Sequence, residues 1–191
     1  MEIKKTPEQL EKRGLSDSER LSPTRETLSI RNAVEGEHAG IWELVLTSYR
    51  EFGPKMNPED WIQMRTNLKK LVEGATLHQL LVAERVGRKV GTVCYYPAGS
   101  IPGAAGFTRF PPEWAVMRVL AVHPESRGRG FGRLLAQEVV DRGRDDGAAT
   151  MGLHTSELMT TATGMYQRMG FELQESFTHL GLKFGLYRLS L

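Results

Sequence analysis

The feature that most constrains the fold is a stretch in which an apolar segment runs into a glycine-rich turn and then into a helical pattern. The apolar segment is 113–122, and Gly128, Gly130 and Gly132 follow it at alternate positions. Glycine lacks a Cβ, so several backbone N–H groups can turn toward one point here. That point faces the positive end of the helix dipole, which suits a phosphate or pyrophosphate. The sequence therefore predicts a phosphate-bearing ligand beside the end of a strand.

Two arginines flank these glycines, and two familiar phosphate loops do not fit. Arg127 and Arg129 add positive charge and bidentate donors to the turn. A Walker A loop needs Lys and then Ser or Thr after its last glycine, and Arg-Leu stands there. In a dinucleotide fingerprint two residues separate the second and third glycines, but one separates Gly130 from Gly132. A nucleotide-phosphate-binding protein is therefore disfavoured.

A second motif, ATGMYQRMGF, occupies residues 162–171. Its tyrosine, Tyr166, lies 39 positions after Arg127, and one helical pattern and one short apolar run separate them. Arg-x-x-Gly-x-Gly after Leu-Ala-Val, followed at this distance by the second motif, resembles the two hallmarks of the GNAT superfamily of N-acetyltransferases. The resemblance is strongest over 114–171.

The order of the sequence patterns predicts an α+β fold. The predicted elements are a strand at 27–31, helices at 35–49 and 58–72, strands at 80–84, 90–96 and 113–122, a helix at 130–147, a strand at 150–155, a helix at 160–169, and strands at 171–175 and 185–191. The resemblance implies a mixed, mostly antiparallel, twisted sheet of six or seven strands flanked by helices. It also implies that strands 113–122 and 150–155 are splayed parallel neighbours. Pantetheine would enter their gap and pair with the exposed backbone like an added strand.

The resemblance assigns the acyl-CoA contacts residue by residue. The backbone of Leu120, Ala121 and Val122 would face the ligand. An N–H group near Leu120 would polarise the thioester carbonyl as negative charge builds on its oxygen. The turn would hold the pyrophosphate through Arg127, Gly128, Arg129, Gly130, Phe131 and Gly132. The implied cosubstrate is acetyl-CoA, and no metal is expected.

The resemblance also suggests catalytic residues. Tyr166 aligns with a tyrosine that lies near the CoA sulfur, and a phenol (pKa about 10) can protonate a departing thiolate (pKa about 8.5). The alternative is a core tyrosine on an amphipathic helix. Histone-type members carry a general-base Glu where this chain has Val116. We therefore expect Glu113 to act as the base, directly or through water, with a solvated loop carboxylate as the alternative.

Arg118 is a cation on an otherwise apolar strand. It shares parity with Val116 and Leu120, which predicts that the three side chains point to one face. A buried unpaired charge is costly, so Arg118 needs a carboxylate or water. An internal salt bridge and a clamp for a carboxylate-bearing substrate both stay open. His154, near the expected gap, is a second candidate for substrate binding or proton transfer, with a structural role as the alternative.

Composition limits the wider function. The 191-residue chain has 25 basic and 23 acidic residues, and a net charge of +2 gives no general attraction to nucleic acid or membranes. The single cysteine, Cys94, cannot form an internal disulfide, and the N-terminus lacks the apolar core of a signal peptide. We expect a cytoplasmic protein with a flexible arm at 1–26 and a single acetyltransferase-like domain at 27–191.

These observations predict an acyltransferase that moves acetyl from acetyl-CoA to a primary amine of a small molecule or protein by direct attack. The alternative is a CoA-binding regulatory or sensor module without turnover. It stays open because Val116 replaces the base of histone-type members and Met159 stands where many members carry Asn. Homodimers are common in the family, so a homodimer is a further open alternative.

Overall fold

The centre of the fold is a sheet in which one parallel pair interrupts antiparallel pairing. A computed structural model describes residues 28–100 and 110–191, and within them seven strands lie in the order β1-β2-β3-β4-β5-β7-β6. The strands are β1 Ser29–Asn32, β2 Leu80–Arg85, β3 Arg88–Tyr96, β4 Ala115–Val122, β5 Thr150–Ser156, β6 Glu172–His179 and β7 Leu182–Ser190. Only β4 and β5 are parallel. The predicted α+β fold with a mixed, mostly antiparallel sheet is confirmed.

Helices lie in three of the connections between strands, β1–β2, β4–β5 and β5–β6. Those in the described residues are α1 His38–Tyr49, α2 Pro58–Gly74, α3 Phe131–Asp145 and α4 Thr160–Arg168. The predicted start of α2 is confirmed, because the Asn57 side chain accepts a hydrogen bond from the Glu59 N–H at 2.9 Å and Pro58 is the first helical residue. A short 3₁₀ helix at Arg50–Lys55, which the sequence pattern did not predict, joins α1 to α2.

The β2–β3 hairpin forms as the sequence predicts, whereas the last two strands are longer than predicted. Val86 and Gly87 form the β2–β3 turn with φ of 51° and 70°, as a two-residue type I′ turn requires. The predicted closing strands, 171–175 and 185–191, were wrong in extent. Strand β6 runs eight residues and β7 nine. Most side chains of β6 are exposed on both faces, so no alternation marks its end.

The sheet separates two apolar cores. The α1/α2 face of the sheet packs against helices α1 and α2, and its core includes Ile41, Val45, Leu71, Val116, Val119 and Ala121. The α3/α4 face packs against α3 and α4, and its core includes Met117, Leu135, Val139, Met151, Leu153 and Tyr166. Strand β4 supplies side chains to both cores, so groups on the two faces of the sheet meet along this strand.

Some predicted segments fall outside the described residues. These are the arm at 1–26 and the part of the 97–112 loop from 101 to 109. The described parts of that loop contain neither helix nor strand. Across the described ranges, no helix combines the length and hydropathy that a bilayer span requires.

Candidate active site between two parallel strands

Strands β4 and β5 separate partway along their length. Their pairing in the described residues consists of Ala115 with Met151, Val116 with Gly152 and Met117 with Leu153. Strand β4 continues to Val122 and β5 to Ser156. From Arg118 onward, the edge of β4 therefore faces β5 without ladder bonds. This is the predicted gap, and an extended ligand could use its backbone groups.

A β-bulge lies in β4 at the mouth of the gap. Cys94 pairs with Arg118 and Thr92 pairs with Ala121, so β4 has one more residue than β3 over this interval. Val119 within the bulge has a φ of 56°, which is unusual for a β-branched residue. The extra residue is left without a direct partner in the ladder.

The bulge changes which face each side chain reaches. Val116 and Val119 belong to the core on the α1/α2 face, whereas Leu120 packs against the α3/α4 core. Arg118 interacts electrostatically with residues of the α1/α2 core. The prediction that Arg118 and Leu120 share a face was therefore wrong, because strict alternation holds only for an unbulged strand.

The glycine turn carries the chain from β4 into α3. Gly128 and Gly130 have φ of 75° and 80°, the region that glycine favours. The Leu134 N–H donates to the Gly130 carbonyl at 3.1 Å, so the earlier N–H groups of the helix have no acceptor within it. They and the helix dipole together provide anion-binding character at this end of α3.

Gly132 differs from the other two glycines. It lies inside α3, and a Cβ built on it would be 3.6 Å from Val122 Cγ2 and 3.8 Å from Met165 Sδ, which are ordinary contact distances. Its small size is therefore not required by backbone conformation or by a close neighbour within the chain.

A small cavity of about 40 Å³ lies in the gap. Its lining residues are Tyr49, Met117, Arg118, Val119, Leu120, Leu153, His154, Thr155, Met159, Ala162 and Tyr166. The cavity therefore joins the predicted substrate residues Arg118 and His154 to the predicted catalytic Tyr166 and to Leu120.

The profile that describes the acetyltransferase (GNAT) family matches residues 39–171, more than half of the chain. The chain belongs to the GNAT family. An L-methionine sulfoximine/L-methionine sulfone acetyltransferase of Pseudomonas paraeruginosa is 28% identical over 92 residues, 46% of this chain and 54% of that protein. An uncharacterized N-acetyltransferase of Schizosaccharomyces pombe is 29% identical over 100 residues, 52% and 55% of the two chains. The chain thus spans about half the length of these curated relatives.

A solved structure shares the fold of this GNAT chain. The GNAT family acetyltransferase from Brucella melitensis in complex with acetyl-CoA has a TM-score of 0.58 and 20% identity, covering 86% of this chain and 88% of that one. At this level of identity the likeness shows a common fold. It is consistent with the central position of the β4–β5 pair described above.

Within the GNAT turn, the guanidinium of Arg127 is engaged by protein acceptors. It contacts the Glu51 carboxylate at 2.6 Å and donates to the carbonyls of Ser48 at 2.7 Å and Val122 at 3.2 Å. It thereby ties the end of β4 to the end of α1. The backbone N–H groups of the turn and the exposed Arg129 are the other donors available to a phosphate. The direct role of Arg127 in phosphate binding stays a prediction.

The cavity places two phenols close to the gap. Tyr166 is 6% exposed, and burial raises its pKa well above the ordinary value, with a further rise from Tyr49. The Tyr49 hydroxyl donates to the Leu120 carbonyl at 3.3 Å, and burial raises its pKa as well. Sequence analysis missed Tyr49, whose only signal is its place on the buried side of α1. Both phenols stay protonated at neutral pH and can act as donors.

Arg118 is half-buried beside neutral groups. Its Nη1 atom has no hydrogen-bond partner among the described residues, which also place no carboxylate within salt-bridge distance of it. Burial lowers its pKa, and Tyr96, Cys94 and Tyr49 act in the opposite direction. An internal salt bridge, one of the two roles left open by the sequence, is therefore not seen in the described part of the chain.

The remaining predicted residues lie at different places. His154 lines the cavity, with its ring stacked on Phe110 at a centroid distance of 4.1 Å and edge-on to Phe177 at 5.2 Å. Glu113 is exposed in the turn before β4, at the end of the strand opposite the gap. The structure does not bring Glu113 to the cavity, and its role as general base stays a prediction.

Proposed function

We propose that this chain transfers an acetyl group from acetyl-CoA to a primary amine by direct attack of the amine on the thioester. The observation that carries the proposal is the β4–β5 gap. The edge of β4 at Leu120, which has no ladder bonds to β5, and the buried phenol of Tyr166 meet there in one cavity, next to the glycine turn. GNAT proteins with a shared fold have been crystallised with acetyl-CoA, which supports the choice of donor.

Acetyl-CoA would lie along the free edge of β4. Its pantetheine amides would pair with the backbone of 120–122, and its pyrophosphate would accept hydrogen bonds from the turn at 127–132. The bulge leaves backbone groups of β4 outside the regular ladder. An N–H group near Leu120 is therefore available to the thioester oxygen, where it stabilises negative charge most in the transition state.

The chemical steps then follow from the cavity. The neutral amine attacks the thioester carbonyl carbon, a C–N bond forms, and the carbonyl oxygen becomes an oxyanion. When the intermediate collapses, the C–S bond breaks, and the Tyr166 hydroxyl passes a proton to the departing thiolate and regains one from solvent, because burial favours the neutral phenol. The excess proton on the nitrogen leaves to a base. His154 lines the cavity, while Glu113 would need a chain of water molecules to serve this role.

Direct attack is favoured over an acyl-enzyme because the only thiol is unsuited to nucleophilic attack. Cys94 is buried on β3, on the side of β4 away from the gap. Burial raises its pKa to about 12, so the thiol stays protonated at neutral pH. A ternary complex of donor and acceptor is the remaining route to the product.

The test is release of free thiol from acetyl-CoA in the presence of a panel of primary amines, with the acetylated product identified by mass. Thermal unfolding with CoA is measured in parallel, because a ligand that binds only the native state raises the melting temperature. We expect both a stabilisation and amine-dependent thiol release. Stabilisation without turnover would indicate the CoA-binding sensor instead. Absence of both at millimolar ligand would overturn the proposal.

A further inference from the structure

Arg118 poses an energetic problem that the acetyl donor alone does not resolve. A guanidinium stays charged at every physiological pH, and a buried charge without a partner is strongly destabilising. Arg118 nevertheless lines the cavity, and its Nη1 atom is buried without a hydrogen-bond partner among the described residues. The fold thus holds a cation ready at the place where two substrates would react.

Within residues 28–100 and 110–191, the groups that act on Arg118 supply no anion, and Asp60 acts on the neighbouring His179. Tyr49, Tyr96 and Cys94 are its electrostatic neighbours, and burial raises the pKa of each, so all three are neutral at pH 7. His179 is a fourth titratable neighbour, and the burial that lowers its pKa leaves it neutral or cationic, never anionic. The sequence of 101–109, the part of the 97–112 loop outside the described residues, contains no Asp or Glu.

The position of Arg118 also separates it from the anionic parts of CoA. The glycine turn follows the far end of β4, beyond Val122, whereas Arg118 lies where the β4–β5 pairing stops. Successive residues of a strand advance about 3.3 Å, so Val122 is roughly 13 Å along β4 from Arg118. A pyrophosphate held at the turn therefore cannot also neutralise this guanidinium.

The geometry limits how far the missing anion lies from the reacting amine. Arg118 and Leu120 line the same cavity of about 40 Å³, and Leu120 is where the thioester carbonyl is expected. The anion and the reacting amine would therefore lie side by side in that cavity, as they do when one small molecule carries both.

We infer that the acceptor is an α-amino acid, or another primary amine with a carboxylate on the neighbouring carbon, and that Arg118 binds this carboxylate. The inference rests on the proposed acetyl transfer and specifies its acceptor. A planar carboxylate can accept two hydrogen bonds from one guanidinium, which fixes its orientation as well as its charge. The amine is thereby directed toward the thioester carbonyl. Binding of the substrate carboxylate also neutralises the charge of the Arg118 guanidinium.

The test compares matched acceptors on the wild-type protein. Methionine, phenylalanine and leucine are each assayed beside their carboxamides and their decarboxylated amines, with kcat/KM measured by thiol release. We expect the amino acids to be favoured by about 10-fold to 100-fold, the loss associated with one charged hydrogen-bond partner. The amide has the less basic amine, so intrinsic reactivity at neutral pH opposes this preference and cannot produce it.

Variants assign the preference to Arg118. Arg118→Met keeps much of the side-chain volume and should reduce the acid-to-amide ratio to near one, while the affinity for CoA changes less than about 3-fold. Arg118→Lys should restore part of the ratio, because it keeps the charge but loses the bidentate geometry. Arg144→Met removes an exposed arginine of α3 and is the matched control, with an unchanged ratio.

Two further measurements separate failure of this inference from failure of the proposed function. Binding of the same amino acids and amides to the CoA complex, measured by calorimetry, requires no turnover and should show the same preference and the same loss in Arg118→Met. The ligand-free melting temperature of Arg118→Met should stay equal or rise, because an unpaired buried charge is removed. Turnover without a carboxylate preference would overturn the inference and leave acetyl transfer standing. No carboxylate preference in binding, or a large fall in melting temperature, would also overturn it.

Discussion

The two sides of β4 provide contrasting halves of one site. On the side toward α3, the candidate donor site consists of the backbone of 120–122 and the glycine turn at 127–132, in which Gly128 and Gly130 have positive φ. On the side toward α1, the candidate acceptor site consists of the side chains of Arg118, Tyr49 and His154. One half presents main-chain N–H groups, and the other presents a cation, a phenol and an imidazole.

This difference determines how each half can respond to substitution. A site made of backbone groups depends on conformation, so it is damaged mainly by residues that strain the chain or place charge beside the ligand. A site made of side chains depends on chemical identity, so a single replacement can change its ligand. Substitutions in the two halves should therefore affect donor binding and acceptor choice separately.

The largest effect is expected for Gly130→Asp. It puts a β-carbon and a negative charge at a residue with φ of 80°, beside the expected pyrophosphate, and like-charge contacts of this kind cost several kcal/mol. The Kd for CoA should rise by about 10²-fold to 10³-fold, as measured by calorimetry. Gly130→Asn is the matched control, because Asn tolerates the same φ without the charge and should cost less than about 10-fold. Equal losses in both variants would mean that strain, not charge, governs the turn.

The second-largest effect, for Tyr166→Phe, is expected on the rate of the chemical step and not on the affinity for acetyl-CoA. Tyr166→Phe keeps the buried ring and its edge contact with Phe171 but removes the hydroxyl. The rate of the chemical step should fall by about 10²-fold, the lower end of what a positioned acid contributes. The Kd for acetyl-CoA should stay within about 3-fold.

Tyr95→Phe is the comparison for Tyr166→Phe. The Tyr95 hydroxyl donates to the Asp146 carboxylate, away from the cavity, so its removal should lower stability without changing the chemical rate. If Tyr166→Phe behaves in the same way as Tyr95→Phe, the tyrosine of α4 is a core residue and has no role in proton transfer.

Raising the salt concentration should weaken donor binding more than acceptor binding, and this effect is smaller than those of the substitutions above. Exposed charges are screened over about 8 Å at physiological ionic strength and over about 3 Å at 1 M, whereas buried charges are screened much less. The donor turn is exposed, whereas Arg118 is half-buried and its Nη1 atom is fully buried. Raising KCl from 0.05 to 0.5 M should increase the Kd for CoA by roughly 3-fold to 10-fold. The KM of a good acceptor should change less than about 2-fold, and equal sensitivities would contradict the proposed division.

The smallest effect is expected for Gly132→Ala. The added methyl group would meet Val122 and Met165 at ordinary contact distances, and alanine is the better helix former. The free energy of unfolding should rise by about 0.5 kcal/mol in urea denaturation, with CoA affinity within about 2-fold. A large loss of affinity would show that the donor approaches this position more closely than the backbone argument allows.

Sequence analysis predicted the donor half much better than the acceptor half. The glycines, the strand before them and Tyr166 fall into two short motifs, since backbone conformation restricts which residues can occupy such a turn. The acceptor half has no comparable signature. Arg118 was singled out by its charge, but its face was misjudged because the bulge at Val119 has no local marker such as glycine. Tyr49 was missed because it meets β4 only through the tertiary packing of α1.

The extra residue in β4 also bears on how an enzyme of this kind diverges. Replacements at 116 and 118 alter one row of side chains, and replacements at 120 and 122 alter the other, so selection for a new acceptor need not disturb the handling of the donor. Removal of one residue at 119 would abolish the bulge and restore plain alternation, so 118 and 120 would keep their faces while the backbone left outside the ladder by the bulge would be lost. A directed-evolution library for acceptor choice is therefore best confined to positions 116 and 118, with the bulge left intact.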